Sequence, residues 1–339
     1  MSDKTYSVIG GEFLLFDIPS DKIFTMEDFD SDQRMMAESC IDFLEREIIP
    51  LTDKIDSKNH PEIMPELIMK SGELGLLGLS ISEEYGGMNM SFNTSMLIAD
   101  IVGITGSFST AYGAHTGIAI LPIYLFGNEE QKQKYLPKLA SGEWFGSYCL
   151  TEPTAGSDAN SGKTKAVLSD DGTHYKISGQ KMWISNAGFA DIFIVFARIE
   201  DDKNITAFII PNDPKNGIEL GEEEKKLGIH SSSTRQVFFS DTKVPVENLL
   251  GERNGGFKIA MNALNVGRIK LGAGNLDGQR RSISISTDYA NNRIQFKQPI
   301  SNFGAIKEKL ASMATSWYAG ESACYRAAND DPVSYTHLT

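Results

Sequence analysis

The sequence predicts a multidomain α and β protein, with an N-terminal α-helical domain, a middle antiparallel β-barrel or sandwich domain, and a C-terminal α-helical bundle that is incomplete. Three changes in residue pattern support this order. Apolar residues recur every three to four positions over 32–139, as in helices. Short β-branched and aromatic runs follow over 147–246, and helical spacing returns from Gly256. We expect domains at 30–146, 147–247 and 248–331, and a non-native tail at 332–339.

The helical segments combine apolar spacing with capping signals. In the first helix, this spacing is carried by Met35, Met36, Ile41, Phe43, Leu44 and Ile48. Asn128, followed three residues later by Gln131, predicts the start of a later helix, because the two side chains can cap each other's backbone amides. After the β segment, one long helix is predicted over 257–293 and a second over 303–329.

The middle segment carries strand and turn signals but no helical signal. Runs such as DIFIVFARI and STRQVFFSDTKVP are separated by turn formers, including DDG at 170–172 and PNDPKNG at 211–217. The absence of strand–helix–strand alternation argues against a Rossmann domain. An antiparallel barrel or sandwich fits the pattern better.

The composition limits the classes of function. With 339 residues, two or three domains are expected, and the formal net charge is −13, from 45 acidic and 32 basic residues. So acidic a chain is a poor match for nucleic acid or anionic membrane surfaces. No apolar run reaches the roughly 18 residues of a membrane span. Because the N-terminus also lacks a signal-peptide pattern, we expect a cytoplasmic protein without a transmembrane segment.

Cysteines and histidines give no sign of a metal site. The three cysteines, Cys40, Cys149 and Cys324, are scattered, which argues against a disulfide framework and fits a reducing compartment. The five histidines do not pair at metal-ligand spacing. We expect His115 to be a packed structural residue rather than a catalytic one.

Two segments carry candidate binding chemistry. The first, YCLTEPTAGSDANS at 148–161, supplies several hydroxyls, and Gly156 allows backbone to approach a ligand closely. The second, KMWISN at 181–186, carries Trp183, whose indole can lie against a planar ring. Each has a structural alternative, a polar turn entering the β domain for the first and a core tryptophan for the second.

These two segments, in this order and at this separation, resemble the acyl-CoA dehydrogenase family, whose signature pairs a TEPxAGSD loop with a KMWIT/SN strand. The sequence also resembles the family at 83–87, 127–143, 233–252 and 256–269. The likeness extends from about residue 30 to about residue 330. Within the family, NALNVGRI and SNFGAIKEKLASM are most similar to the very-long-chain branch.

The resemblance implies an FAD site with contacts from Tyr148, Leu150, Thr151, Ser157, Trp183 and Ser185. In this interpretation the Thr151 hydroxyl bonds the pyrimidine side of the flavin, and the Ser185 hydroxyl, a threonine in most of the family, lies near N5. Ser157 lies where flavin and CoA thioester meet. Because a reduced flavin gains negative charge, fixed donors at its polar edge favour its reduction.

The resemblance also assigns residues beyond the two motifs. Arg293, Gln295 and Phe296 are similar to a segment that reaches the FAD of a neighbouring subunit, which implies a homo-oligomer, either a dimer or a tetramer. Arginine suits a pyrophosphate because its guanidinium is planar and bidentate. A solvated helix end is the alternative for Arg293. Lys297 replaces the glycine usual in the family, so a different local turn is expected.

The first helix after the β segment carries the implied CoA contacts, Asn265 and Arg268, whose spacing allows them to share a helix face. Between them, Gly267 occupies the position where some branches of the family carry their catalytic glutamate, and glycine cannot act as a base. We therefore expect the base to be a glutamate in a C-terminal part that is missing here. The truncated chain is accordingly expected to be inactive.

The activity implied by the resemblance is FAD-dependent α,β-dehydrogenation of fatty acyl-CoA thioesters in fatty acid β-oxidation, with electrons passed to an electron-transfer flavoprotein. Long acyl chains are expected because Gly113, Ala114 and Gly117 are small where the medium-chain branch carries larger residues; tight helix packing is the alternative. The flavin loop does not distinguish this enzyme from an acyl-CoA oxidase or flavin monooxygenase on the same fold, or from a catalytically silent assembly protein.

Overall fold

The structure is a computed structural model that describes residues 14–19, 23–57 and 60–329. Its internal contacts divide the chain into two compact units. One unit contains 42–90 and 105–267, which include the whole β segment. The other contains 91–104 together with the described residues up to Ile41 and from Arg268 onward. The predicted domain boundaries stay predictions, and the tail expected at 332–339 lies outside the described residues.

Helices lie on both sides of the β segment in the sequence. Before the first strand, the described α-helices are α1 (Ser31–Phe43), α2 (Thr52–Ser57), α3 (Met64–Glu73), α4 (Phe92–Val102), α5 (Gly106–Gly113), α6 (Ile120–Phe126) and α7 (Glu129–Ser141). After the main sheet come α8 (Gly256–Gly274), α9 (Leu276–Asn292) and α10 (Gly304–Asn329). The predicted order of helical, β and helical domains is confirmed. Within the described ranges, no helix is both long enough and apolar enough to cross a membrane.

The predicted start of α7 is confirmed in detail. The Gln131 amide donates to Asn128 Oδ1 at 2.8 Å, and the Asn128 amide donates to Gln131 Oε1 at 3.1 Å. The helix ends at Gly142, whose φ of 78° is left-handed and favours glycine. A cap of this kind stabilises a helix by about 1 kcal/mol.

The β segment forms an eight-stranded sheet from β1 (Gly146–Cys149), β2 (Lys165–Leu168), β3 (His174–Ser185), β4 (Ile192–Ile199), β5 (Thr206–Pro211), β6 (Ile218–Leu220), β7 (Thr234–Pro245) and β8 (Leu249–Leu250). The order is β6-β7-β3-β2-β4-β5-β8, and β1 pairs with β4. Most pairs are antiparallel as predicted, but β1 and β2 run parallel to β4. In both cases the chain passes through β3 before returning to β4, which provides the crossover that parallel pairing needs.

Strand β4 is buried on both faces and joins two cores. Its residues Ile194 and Phe196 belong to a cluster that includes Tyr135 of α7. The intervening Phe193 and Val195 belong to a second cluster, formed by residues of the β segment. Because successive side chains of a strand point to opposite faces, one sheet both binds helices and closes the β core. Burying each such side chain stabilises the fold by roughly 1.5–3 kcal/mol, so the position of the sheet is well determined.

The helix predicted over 257–293 is instead two helices, α8 and α9, which meet at Asn275. The Asn275 side chain donates to the Leu271 carbonyl at 2.6 Å, and its amide donates to the Gly272 carbonyl at 3.2 Å. Asparagine competes with helical bonding in this way, and the nearby glycines make the helix easier to interrupt. The second predicted helix, over 303–329, is confirmed as α10.

The unit containing α9 and α10 has a polar contact at its centre. Asp100 of α4 is fully buried and accepts hydrogen bonds from Tyr325 Oη at 2.7 Å and Arg280 Nη2 at 2.9 Å. The Tyr325 ring packs edge-on against Phe29, with centroids 4.9 Å apart. A buried carboxylate is tolerated only when it is paired and hydrogen-bonded, so these contacts fix how the three helices pack within the unit.

A short hairpin lies between α9 and α10. Its strands are β9 (Ile294–Gln295) and β10 (Gln298–Pro299), and its two turn residues, Phe296 and Lys297, have φ values of 49° and 64°. Two left-handed residues match the twist of a tight hairpin, but they strain any residue other than glycine or asparagine. The lysine therefore occupies a position where the local backbone favours glycine.

We predict that Lys297→Gly stabilises the chain by about 1 kcal/mol, because glycine adopts a left-handed conformation without strain. Urea unfolding of the two proteins measures this difference. The control is Lys309→Gly, at an exposed position in the second turn of α10, which should destabilise by about 1 kcal/mol because glycine disfavours a helix interior. A loss of stability in Lys297→Gly as large as that in the control would contradict the prediction.

Candidate functional site

The two candidate motifs lie side by side in the unit that contains the β segment. The Met182 amide donates to the Thr151 carbonyl at 2.9 Å. Just before the first motif, Ser147 Oγ on β1 donates to the Ser185 carbonyl at the end of β3, at 2.8 Å. Backbone and side-chain bonds thus join the loop after β1 to the last residues of β3, although the two motifs are separated in sequence.

A buried ion pair joins the same two motifs. Lys181 Nζ donates to Glu152 Oε1 at 2.7 Å and to the Leu150 carbonyl at 3.2 Å. Lys181 is 1% exposed and Glu152 is 5% exposed. Charged residues are almost never buried so completely unless they are paired, so the contact is a specific feature of this loop.

The Glu152 carboxylate also joins the start of the loop to its end, at Lys163 and Thr164. It accepts the amides of Lys163 at 2.5 Å and of Thr164 at 3.1 Å. A Cβ on Gly162 would lie 2.8 Å from Glu152 Oε1, closer than real contacts allow. Glycine at this position is therefore what lets the carboxylate approach the backbone.

The environment favours the ionised form of Glu152. Burial alone raises its pKa, but the Lys181 ammonium and the donors at Thr164 and Lys163 outweigh burial and hold the pKa below its usual range. Burial lowers the pKa of Lys181, and the Glu152 carboxylate opposes that effect. Because the Glu152 carboxylate is already bonded to an ammonium and two amides, it is poorly placed to act as a catalytic base.

Between its two anchored ends the loop is exposed. Apart from one alanine, the residues of 153–158 are exposed, and they include Ser157. Beyond them, the Asn160 carbonyl accepts Arg198 Nη2 at 2.6 Å, and the Asn160 side chain donates to Asn204 at 3.0 Å. The polar segment is thus presented to solvent by anchors at both ends.

Trp183 is held out from the sheet by an irregularity of β3. The pairing of β3 with β7 shifts register between Lys181 and Ile184, and Trp183 has a φ of 57°. Its side chain is 60% exposed, so the alternative of a core tryptophan is wrong. Three residues later, the buried Asn186 side chain donates to the Ala111 carbonyl at 2.8 Å and anchors the strand end. Backbone strain that the surrounding structure maintains, as at Trp183, is concentrated at ligand and active sites.

Known proteins are similar to this chain along most of its length. Family profiles for the acyl-CoA dehydrogenase N-terminal, middle and C-terminal domains match residues 30–143, 147–242 and 254–332. The chain belongs to the acyl-CoA dehydrogenase family. A Bacillus subtilis protein named "Probable acyl-CoA dehydrogenase" is 48% identical over 318 residues, which cover 94% of this chain and 53% of that protein.

Two further relatives are similar over most of the chain. The human mitochondrial very long-chain specific acyl-CoA dehydrogenase is 41% identical over 314 residues, covering 88% of this chain and 48% of the enzyme. A crystal structure of a Bacillus anthracis acyl-CoA dehydrogenase complexed with FAD is 46% identical, with a TM-score of 0.88, covering 98% of this chain and 58% of that chain. The chain therefore spans about half the length of the curated relatives it matches.

The residues expected to contact flavin differ in accessibility. The side chains of Tyr148 and Leu150 are buried in the helix-facing core, and Tyr148 Oη donates to the Ala260 carbonyl at 3.3 Å. Any contact they make with a ligand would therefore involve backbone or a ring edge. Thr151 is half-buried and Ser157 is exposed. With Trp183 and the half-buried Ser185, these residues offer the accessible groups of the site.

The remaining predicted residues lie on other elements. Asn265 is half-buried and Arg268 is exposed, and both lie on α8. Arg293, Gln295 and Phe296 are exposed at the hairpin between α9 and α10, and Phe296 is 87% exposed. Asn265 lies in the same compact unit as the two motifs. Arg268 and the three hairpin residues lie in the other unit.

The ion pair of Lys181 and Glu152 was not predicted, although the sequence contains a signal for it. In β3, Tyr175 and Ile177 are buried, and a period of two places Lys181 on the same inward face. A lysine at an inward strand position requires a buried partner. Of the two motifs, only the first carries acids, so Glu152 or Asp158 could have been proposed as that partner.

His115 is a structural residue, as predicted. It is fully buried; its Nε2 donates to the Leu139 carbonyl at 2.9 Å, and its Nδ1 accepts the Gly146 amide at 3.1 Å. Burial lowers its pKa to about 4, and the bond to Leu139 opposes this effect only in part. The neutral ring thus connects α7 to the start of β1. Among the described residues, no group of His, Cys, Asp or Glu side chains is placed to hold a metal ion.

We predict that His115 makes the fold sensitive to acid. The folded pKa of about 4 lies below the usual 6.5, so its contribution is complete above pH 6.5 and is lost as pH falls toward 4. The loss between pH 7 and pH 4.5 should be about 2–3 kcal/mol. In His115→Gln, which does not titrate, urea unfolding at these two pH values should show a correspondingly smaller difference.

The same pair of proteins provides its own control. Between pH 7 and pH 8.5 the ring is neutral in the folded and unfolded chain, so wild type and His115→Gln should show parallel pH dependence even if their absolute stabilities differ. If the two proteins lost stability equally between pH 7 and pH 4.5, His115 would not be the residue responsible.

Proposed function

We propose that this chain holds FAD at the site formed by its two motifs. We further propose that the whole protein catalyses α,β-dehydrogenation of fatty acyl-CoA thioesters to trans-2-enoyl-CoA in fatty acid β-oxidation. The observation that carries the proposal is the exposed, strained Trp183 beside the accessible Thr151 and Ser185. Membership of the family and the FAD-complexed relative support it.

The groups present fit a planar ring with a polar edge. Trp183 offers an apolar face, and the hydroxyls of Thr151 and Ser185 offer neutral donors on neighbouring segments. Gly156 has open space where a Cβ would stand, so the exposed part of the loop allows close approach by a ligand. Neutral donors held by a rigid sheet stabilise charge that develops on a bound ring without moving during the reaction.

The cofactor and the chain would contribute different parts of the reaction. When bound, FAD supplies the acceptor for the hydride that leaves the substrate β-carbon. The chain's residues would orient the ring and exclude water on the Trp183 side. The α-proton of a thioester is only weakly acidic, so a carboxylate base has to remove it. The burial and pairing of Glu152 make it unsuitable, and we infer that another carboxylate of the whole protein performs this step.

Substrate and partner assignments rest on the resemblance. We infer that Ser157, Asn265 and Arg268 contact the acyl-CoA and that electrons pass to an electron-transfer flavoprotein. We also infer a homo-oligomer, because the hairpin that carries Arg293, Gln295 and Phe296 exposes its aromatic side chain almost completely. This exposed position leaves the hairpin accessible for the contact with a neighbouring subunit that the resemblance implies.

We predict that the protein binds FAD without a covalent bond and that Thr151→Val and Ser185→Ala each weaken binding. A lost hydrogen bond contributes about 0.5–1.5 kcal/mol, so each Kd should rise roughly 2- to 12-fold. Fluorescence titration of the apoprotein with FAD measures it. Thr154→Val, an equivalent change at an exposed position of the same loop, is the control and should bind like wild type. A folded wild-type protein that cannot take up FAD would refute the proposed function.

We predict a preference for long acyl chains. An added Cβ at Gly113 meets no heavy atom within 4 Å, so tight packing does not explain this glycine. If that space receives the acyl chain, each methylene buried there contributes about 0.8 kcal/mol. In the whole protein, kcat/KM should be higher for palmitoyl-CoA than for octanoyl- or butanoyl-CoA, and Gly113→Leu should reduce the palmitoyl preference. Gly320→Leu, a second helical glycine with open space, is the control.

The same assay separates the alternatives. An optimum at or below octanoyl-CoA would exclude a deep acyl pocket at Gly113. Steady oxygen consumption with acyl-CoA as the only other substrate would favour an acyl-CoA oxidase. Bound FAD that acyl-CoA does not bleach would favour a catalytically silent assembly protein.

A further inference from the structure

We propose that Lys181 and Glu152 are positioning residues of the flavin site: the pair fixes the groups that meet the ring and leaves no unpaired charge beside them. This inference rests on the proposed function, since it concerns the same site. It assigns neither residue to the chemistry. Both are buried, and their roles would be exercised through Thr151 and Trp183.

The first observation is that Lys181 and the adjacent Met182 hold three consecutive residues of the loop. Lys181 Nζ binds the Leu150 carbonyl at 3.2 Å and the Glu152 carboxylate at 2.7 Å. Between them, the Thr151 carbonyl accepts the Met182 amide at 2.9 Å. With its own carbonyl and both neighbours bonded to one strand, Thr151 has a backbone that is fixed relative to β3, and so is the Cβ that carries its hydroxyl.

The second observation concerns the strand. Lys181 is the last residue paired in regular register with β7 before the irregularity that carries Trp183. The left-handed conformation of Trp183 is strained and persists only if the residues around it are firmly held. Lys181 on one side and Asn186 on the other provide such anchors, since each is buried and bonded to backbone from another segment.

The third observation is the charge balance. The pair is an ammonium and a carboxylate in contact, so each neutralises the other close to Thr151. Stability alone does not require ions here, because apolar residues in place of a buried ion pair are often equally stable or more so. Removing one member, however, leaves an uncompensated charge in a medium of low dielectric constant, where its field is strong.

Three variants of the full chain distinguish positioning from charge and from folding. Lys181→Met leaves a lone carboxylate, and Glu152→Gln leaves a lone ammonium while keeping an acceptor for the amides of Lys163 and Thr164. The double variant K181M/E152Q carries neither charge and keeps that acceptor. The matched control is Lys70→Met and Glu47→Gln, which breaks a lysine–glutamate pair of the same 2.7 Å length on the helices.

FAD affinity tests the positioning role. Charge-assisted bonds contribute about 1.5–3 kcal/mol, so each single variant should bind FAD about tenfold or more weakly than wild type. The double variant should keep a thermal midpoint near that of wild type, because it buries no lone charge, yet still bind FAD more weakly. Wild-type affinity in the double variant would overturn the positioning role. The control variants should bind like wild type.

The midpoint potential of bound FAD tests the charge balance. A reduced flavin gains negative charge, so Lys181→Met should lower the potential and Glu152→Gln should raise it, with the double variant between them. A role limited to folding would not give shifts of opposite sign. Shifts of the same sign in both single variants, or no shift in either, would overturn the claim about charge.

A test without flavin separates this inference from the proposed function. In the apoprotein, trypsin should cleave after the exposed Lys163 faster in both single variants than in wild type or the controls, because the side chain at position 152, which accepts the amides of Lys163 and Thr164, is no longer held in place by the ion pair. Unchanged cleavage would show that the pair does not hold the loop. If wild type failed to bind FAD, the proposed function would fall, and this cleavage would still decide whether the pair anchors the loop.

Discussion

The organisation of the candidate site depends on an ion pair removed from water. Transfer of an ammonium and a carboxylate to a protein interior costs several kcal/mol for each ion, which only close and complete pairing offsets. Lys181 and Glu152 meet that condition, with two loop amides and one carbonyl completing their bonds. The pairing offsets this cost only while the two ions stay in contact. The backbone segments that carry them are therefore brought into a fixed relation, and the exposed groups of the site lie on those segments.

The ion pair can hold the groups of the site in place only if the sheet that carries them is itself rigid. The sheet that carries the site is buried on both faces at β4, so its position is set by a helical core on one side and a β core on the other. His115 adds a bonded link between α7 and the start of β1, immediately before the first motif. Packed interiors resist small displacements, so a local strain such as the left-handed Trp183 can be maintained at the surface.

Much of this arrangement follows from the sequence. The order of helical, β and helical segments and the cap at Asn128 depend on residues close together in the chain, and both were predicted. The parallel pairing of β1 and β2 with β4 depends on how the chain crosses the sheet, which local patterns do not specify. The break at Asn275 arises from one side chain competing for a helical carbonyl within an otherwise helical pattern. The partner of Lys181 was missed because alternation shows which side chains point inward, but not which distant acid meets them.

The charged and the neutral groups of the site differ in accessibility, and this difference affects how the site would stabilise a bound ligand. Its buried ions, Lys181 and Glu152, neutralise each other, and the accessible groups at Thr151, Ser157 and Ser185 are neutral hydroxyls. A ligand that changes charge during a reaction would then be stabilised by oriented dipoles rather than by a neighbouring ion. Such dipoles stabilise the more negative state of the ligand by a moderate amount, so the ligand can still return to its less negative state. A lone cation at the same place would stabilise the more negative state of a bound ligand more strongly than neutral dipoles do.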